Sequence, residues 1–233
     1  MIHFIYGKSG SGKTERIFSE LERSSGRVFL LVPDREAVAA ESRTAELNNA
    51  QNIDVLTFGR LCNYIFRQYG GLCVDYISAG AKKLMMRNVM KVLSPALKEY
   101  GDVNHFGIFE KMTELRTNCY HDKITPRKLE DAAKAIGEDV PLGAKAADLG
   151  VIFSAFDAEV ASRFEDPDGM LSSAYALLQQ HDFFADCDVF IHSFSSFSAQ
   201  QYDILERIFR TAKNVWITFS FVKEERNESA PFC

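Results

Sequence analysis

Gly7-Lys8-Ser9-Gly10-Ser11-Gly12-Lys13-Thr14 fits the G-x-x-x-x-G-K-[ST] pattern of a phosphate-binding loop. Glycines at this spacing let backbone N–H groups converge on phosphate oxygens. A lysine in the place of Lys13 reaches the β- and γ-phosphates, and the Thr14 hydroxyl ligates the Mg²⁺ that accompanies the nucleotide. The residues therefore predict ATP or ADP with Mg²⁺ as the cofactor. They name no catalytic base.

Such a loop works between a strand and a helix, where uncompensated amides add partial positive charge. Ile2-His3-Phe4-Ile5-Tyr6 reads as the strand and Glu15 to Leu21 as the opening of the helix. Val28 to Val32 is a continuous apolar run stopped by Pro33-Asp34, as in a buried parallel strand. Arg35 to Leu47 reads helical, Ile53 to Thr57 as a third strand, and Phe58 to Tyr69 as a helix with an i, i+3, i+4 apolar stripe. This β-α-β-α-β-α order predicts an α/β fold with a parallel sheet.

From Gly70 to Asp186 the strand signal vanishes. Ala79 to Tyr100 is amphipathic through Leu84, Met85, Val89, Val92 and Leu93, and His105 to Cys119 is a second helix. Thr125-Pro126 with Gly137 supplies cap, first-turn proline and stop in order. Asp148 to Phe164 and Gly169 to Gln180 complete a helical insert. Sheet character returns at Asp188 to His192 and at Val215 to Phe219, around a helix starting near Ser198. The organisation expected is 1–69 with 187–233 as one P-loop domain and 70–186 as the insert. The charged and polar tail from Lys223 to Cys233 closes no domain, so the natural polypeptide is expected to continue.

The formal charge is −5 over 233 residues, which argues against a general polyanion-coating protein. No apolar run is long enough to cross a membrane. Cys62, Cys73, Cys119, Cys187 and Cys233 form no C-x-x-C pair and read as reduced thiols of a cytoplasmic protein. Lys82, Lys83 and Arg87 read as a solvated helix face, and Glu165, Asp166 and Asp168 as a helix-capping turn. His105, His121 and His181 lack partners at metal-ligand spacing.

A hydrolysing P-loop protein normally carries a strand ending in Asp, often followed by Glu, that holds the Mg²⁺ shell and orients water. The strand in that place, Val189-Phe190-Ile191, ends in His192-Ser193. Neither residue is a carboxylate. One reading gives His192 a specific phosphate or metal role, although neutral imidazole is a poor Mg²⁺ ligand beside oxygen donors; the other is that it fills a lapsed position.

The stretch from Val189 to Leu205 resembles the acidic motif of superfamily 1 helicases and the Q-Y-x-x-L helix after it. Within that superfamily the chain is most similar to AddB (RexB in some bacteria), the second subunit of the AddAB helicase–nuclease. The resemblance rests on an early P-loop, Leu30-Leu31-Val32-Pro33, Thr57-Phe58-Gly59-Arg60-Leu61, a long helical insert, and Ile191 to Phe194 with Phe197 and Gln200. The family Asp falls on His192. The resemblance implies a RecA-like half-motor that binds ATP and hydrolyses it weakly or not at all. It implies an AddA-type partner in a heterodimer, and DNA ends and single-stranded DNA as substrates in double-strand break repair. It also implies a remainder beyond Cys233 with a second motor-like half and a nuclease domain holding a cysteine-ligated iron–sulfur cluster; none of that chemistry lies in these residues.

Thr57, Phe58 and Arg60 match the segment such motors place near single-stranded DNA, Arg60 for a phosphate and an exposed Phe58 for base stacking. The other reading of the same residues is a core-facing helix start with Arg60 as a surface charge. Two further functions fit the loop alone. One is a small-molecule P-loop kinase, which needs an acceptor-activating carboxylate and an arginine-bearing lid. The other is a scaffold whose P-loop is a relic.

Overall fold

The computed structural model describes residues 1–71, 75–102, 106–137 and 139–220. His105, Cys73, Cys233 and the tail from Lys223 lie outside them. The elements run β1 (Ile2–Gly7), α1 (Lys13–Arg23), β2 (Arg27–Leu31), a 3₁₀ turn at Asp34–Glu36, α2 (Ala37–Thr44), β3 (Ile53–Leu56) and α3 (Phe58–Tyr69). Then come α4 (Ala79–Leu93), α5 (Phe106–His121), α6 (Pro126–Ile136), α7 (Pro141–Ala161), α8 (Met170–Gln180), β4 (Cys187–Ile191), α9 (Ala199–Thr211) and β5 (Asn214–Ser220).

The five strands among the described residues are all parallel, in the order β1-β5-β4-β2-β3. The α/β fold expected from the alternation is present. A parallel sheet is covered on both faces, which explains the unbroken Val28 to Val32 run. Val28, Leu30 and Val32 meet Ile17, Phe18 and Leu21 of α1 and Ala37 and Ala40 of α2. Phe29 points the other way, stacked on Phe183 at 5.5 Å and edge-on to Tyr64 and Phe184. On the first face, rings line up across three strands. Trp216 of β5 stacks on His3 of β1 at 4.7 Å and on Phe190 of β4 at 4.5 Å.

The chain divides into two compact units. One comprises Met1–Tyr69, Ala174–Phe197 and the chain from Gln201 on; the other comprises Gly70–Ser173 with Ser198–Gln200. The first boundary follows Tyr69. The second falls inside α8, because Phe183 and Phe184 belong to the core around Phe29.

Apart from an isolated bridge between Tyr76 and Glu165, no described residue from 70 to 186 pairs as a strand. Core residues of the helical unit include Met86, Met90, Met112, Phe153 and Phe156. Asp148 is buried and accepts the backbone N–H groups of Lys98, Glu99 and Tyr100 at 3.1, 2.7 and 3.1 Å, tying off the chain after α4. Two expectations need correction. Helix α7 begins at Pro141, not Asp148, since proline suits the first helical turn. Its Gly150 lets α6 approach closely, for a Cβ there would lie 2.8 Å from Cγ of Glu130.

The second correction concerns α4. Its buried positions are Lys82, Met86 and Met90, whereas Leu84 and Val92 of the expected stripe are 58% and 79% exposed. Met85, Val89 and Leu93 flank the core partly buried. Lys82 is thus no solvated charge. Its Nζ lies 2.5 Å from Oδ1 of Asp166 and 2.8 Å from Oδ2 of Asp168. Thr117 donates its hydroxyl to the same Asp168 oxygen at 2.8 Å. Asp166 also accepts the Asp168 N–H at 2.9 Å, the capping role the turn suggested. Lys83 pairs with Glu110 at the surface.

Candidate nucleotide site

The glycine-rich loop sits at the carboxyl end of β1 and leads into α1. Gly10 and Gly12 have φ of 76° and 80°, the left-handed region that a side chain resists. No atom lies within 4 Å of where a Cβ would stand on either, so the loop backbone faces open space there. Gly7 is constrained differently, because a Cβ would meet Oγ of Ser11 at 2.4 Å. The loop closes through Ser11 N–H on the Lys8 carbonyl at 3.2 Å. Gly12 is the N-cap of α1 and no side chain caps the helix, so its first amides stay available to an anion.

Lys13 folds back over the loop, donating from Nζ to the carbonyls of Gly7 at 2.9 Å and Lys8 at 2.6 Å. Those bonds hold the ammonium against the carbonyls at the start of the loop. Lys8, Ser9, Gly10, Ser11, Gly12 and Thr14 are exposed, and Gly7 and Lys13 are half-buried. Open amides, one lysine and an accessible threonine hydroxyl form a donor set that fits a polyphosphate with its cation.

The sheet reverses its winding between β2 and β4: α2 leads from β2 outward to β3, while α9 leads from β4 toward β1. Ligands of open parallel sheets sit beyond the carboxyl ends at such a reversal. A cleft of about 340 Å³ opens there, lined by Pro33, Asp34 and Arg35 after β2, Thr57 and Phe58 after β3, and Phe194, Ser195 and Ser196 after β4.

The three residues proposed from sequence for DNA reach this end of the sheet but differ in access. Thr57 is 4% exposed, with Oγ1 3.5 Å from the Arg60 N–H at the start of α3. Phe58 is 6% exposed and meets Phe194 and Phe197 edge-on at 5.5 and 6.3 Å. It is therefore a wall of the cleft and not the free stacking platform the motif suggested, because three aromatic rings bury more apolar surface together than apart. Arg60 is exposed and paired with Glu41.

His192 follows β4 and is 8% exposed. Its Nδ1 lies 2.9 Å from Oγ1 of Thr218. Burial pushes its pKa down, with Arg43 and Lys13 acting the same way and Glu36 opposing, so the ring is neutral at pH 7. Ser193 adopts φ of 65°, one of two described non-glycine residues with positive φ. Sequence reasoning missed Thr218. The signal was present: it stands two residues after Trp216, so strand alternation turns a polar side chain to the face that carries α1.

Among the described residues no helix is long and apolar enough to cross a membrane, and no group of His, Cys, Asp and Glu has metal-site geometry. Cys62, Cys119 and Cys187 are buried free thiols.

Residues 4–231 match the family model described as ADDB, N-terminal. Among curated relatives, the B-subunit of the ATP-dependent helicase/deoxyribonuclease of Thermoanaerobacter sp. (strain X514) is 28% identical over 228 residues, covering 94% of this chain and 20% of the relative. The protein of the same name from Acetivibrio thermocellus is 26% identical over 227 residues, and that from Clostridioides difficile (strain 630) 25% over 231, each with the same coverage. The chain thus spans about one fifth of the length of these relatives.

Proposed function

Since the chain belongs to the AddB N-terminal family, we propose that it is the nucleotide-binding, RecA-like part of an AddB-type subunit of an ATP-dependent helicase/deoxyribonuclease. The observation that carries this is the loop Gly7 to Thr14: two left-handed glycines, an uncapped α1 and an ammonium folded back onto the Gly7 and Lys8 carbonyls. Loop amides would hold phosphate oxygens, Lys13 would exchange its two carbonyl bonds for the β- and γ-phosphates, and Thr14 would bind Mg²⁺. The cleft with Thr57, Phe58 and nearby Arg60 would meet single-stranded DNA. Arg60 would exchange Glu41 for a phosphate, and Phe58 would shape the wall. The partner would be an AddA-type subunit, the setting the cytoplasm, and the task the processing of broken DNA ends.

His192-Ser193 in place of carboxylates favours a second reading, a scaffold whose loop no longer takes nucleotide. Calorimetry with Mg²⁺ and ADP separates the two. Lys13→Ala should weaken binding about ten- to a hundredfold, since hydrogen bonds to charged groups contribute about 1.5–3 kcal/mol. Equal affinity in both proteins sinks the assignment, and no binding in either supports the scaffold.

A further inference from the structure

His192 leaves β4 on the strand face that bears Phe190, the face packed by α1. Its ring lies edge-on to Phe18 of α1, with centroids 6.4 Å apart and planes at 87°. The backbone is tied down on one side by its N–H on the Leu31 carbonyl at 2.9 Å. On the other side the ring meets Thr218 through Nδ1 at 2.9 Å, and the Ser193 N–H reaches the same Thr218 oxygen at 3.4 Å. The left-handed Ser193 turns its N–H into that contact, a backbone conformation that a residue with a Cβ resists.

The direction of the hydrogen bonds follows from counting protons. Thr218 is 5% exposed and has one O–H donor. Its oxygen accepts from Ser193, and among the described residues its only other hydrogen-bond partner is Nδ1 of His192. Donation to Nδ1 is the one arrangement that does not strand the Thr218 proton in a buried place. The neutral ring then carries its own proton on Nε2, which has no partner among the described residues. A carboxylate at this position could approach a phosphate only through a cation. An N–H donor can bind one directly.

We propose that His192, fixed by Thr218 as the Nε2–H tautomer, donates a hydrogen bond to the terminal phosphate of a bound nucleoside triphosphate, so that the site distinguishes triphosphate from diphosphate without cleaving it. This rests on the nucleotide reading of the loop. The position that serves hydrolysis in an acidic motif serves recognition here.

The first test needs no ligand. Long-range ¹H–¹⁵N spectra of the chain should show His192 protonated on Nε2, and protonation on Nδ1 overturns the proposal. The second compares ADP with its β,γ-imido triphosphate counterpart, each with Mg²⁺, by calorimetry. His192→Ala should weaken the triphosphate analogue about ten- to a hundredfold and ADP less than twofold. His192→Gln, which keeps an N–H near the Nε2 position, should recover most of the loss and covers the case in which the alanine variant misfolds. Thr218→Val should give a smaller loss, again for the triphosphate alone. Equal loss of both nucleotides, or no loss of either, in His192→Ala or in a folded Thr218→Val overturns the role of His192. If Lys13→Ala leaves both affinities unchanged, the nucleotide reading itself has failed, a result distinct from failure at His192 alone.

Discussion

Replacing Lys82 by methionine removes one cation from a place where two carboxylates depend on it. The Lys82 side chain is 8% exposed, and those of Asp166 and Asp168 are 21% and 16% exposed. Removing one member of a buried ion pair costs about 3–5 kcal/mol, because the remaining charge loses its partner but not its desolvation. Both carboxylates keep some water, which places the expected loss near the lower end, about 3 kcal/mol. Thr117 continues to donate to Asp168, while His121 at 3.9 Å is too distant for a hydrogen bond. In urea unfolding followed by circular dichroism, with slopes of about 1–3 kcal/mol per molar, the midpoint should fall by about 1–3 M. Adding Asp166→Asn and Asp168→Asn to Lys82→Met should recover at least half, since neutral amides no longer need the cation. A Lys82→Met midpoint shift worth less than about 0.5 kcal/mol, the range of ordinary surface substitutions, would refute the burial argument.

Cys62 is 1% exposed and its thiol is pushed up to about 12 by burial; peptide-level mass spectrometry should find it unalkylated in native protein at pH 8 and modified after denaturation. Because its folded pKa is raised, the stability it contributes is complete below about pH 9 and is lost as pH rises toward 12, so Cys62→Ala should flatten the alkaline limb of a stability–pH curve. An unchanged limb would place the alkaline sensitivity elsewhere. The chain should also be a poor ATPase with single-stranded DNA present, since His192 and Ser193 supply no anionic oxygen for the Mg²⁺ shell or the attacking water. Turnover of roughly 1–10³ s⁻¹ that Lys13→Ala abolishes would overturn that expectation. His192→Asp with Ser193→Glu should add little, and a large gain from the pair would show that the acidic motif was the only part missing.

Features set by neighbours in sequence were legible, and features set by distant ones were not. The loop motif, the apolar run of β2 and the cap–proline–glycine order of α6 are local signals, and each element stands within a few residues of its expected place. Lys82 misled because its carboxylates lie 84 and 86 residues further on. Without them a lysine beside Met86 and Met90 argues for solvent, and the remaining apolar residues mark a stripe whose Leu84 and Val92 the fold leaves exposed. The start of α7 was hidden because Gly143 and Gly150 weaken a helical signal, although close passage beside α6 is what requires them. At the site, the sequence showed which residue types stand where carboxylates are usual. The bond from Thr218 that orients His192 depends on β5 lying beside β4, which is a property of the sheet order.

The ring ladder through His3, Trp216 and Phe190 has an optical consequence. Trp216 is the sole tryptophan, clasped between a ring of the outermost described strand on one side and a ring of β4 on the other. If β1 peels away, His3 leaves, water reaches one side of the indole, and emission moves to the red while helical ellipticity hardly changes. Intrinsic fluorescence thus becomes a gauge of fraying in the strand that carries the glycine loop, separate from global melting. Any ligand that grips Gly7 to Thr14 should quiet that fraying and be seen without a label.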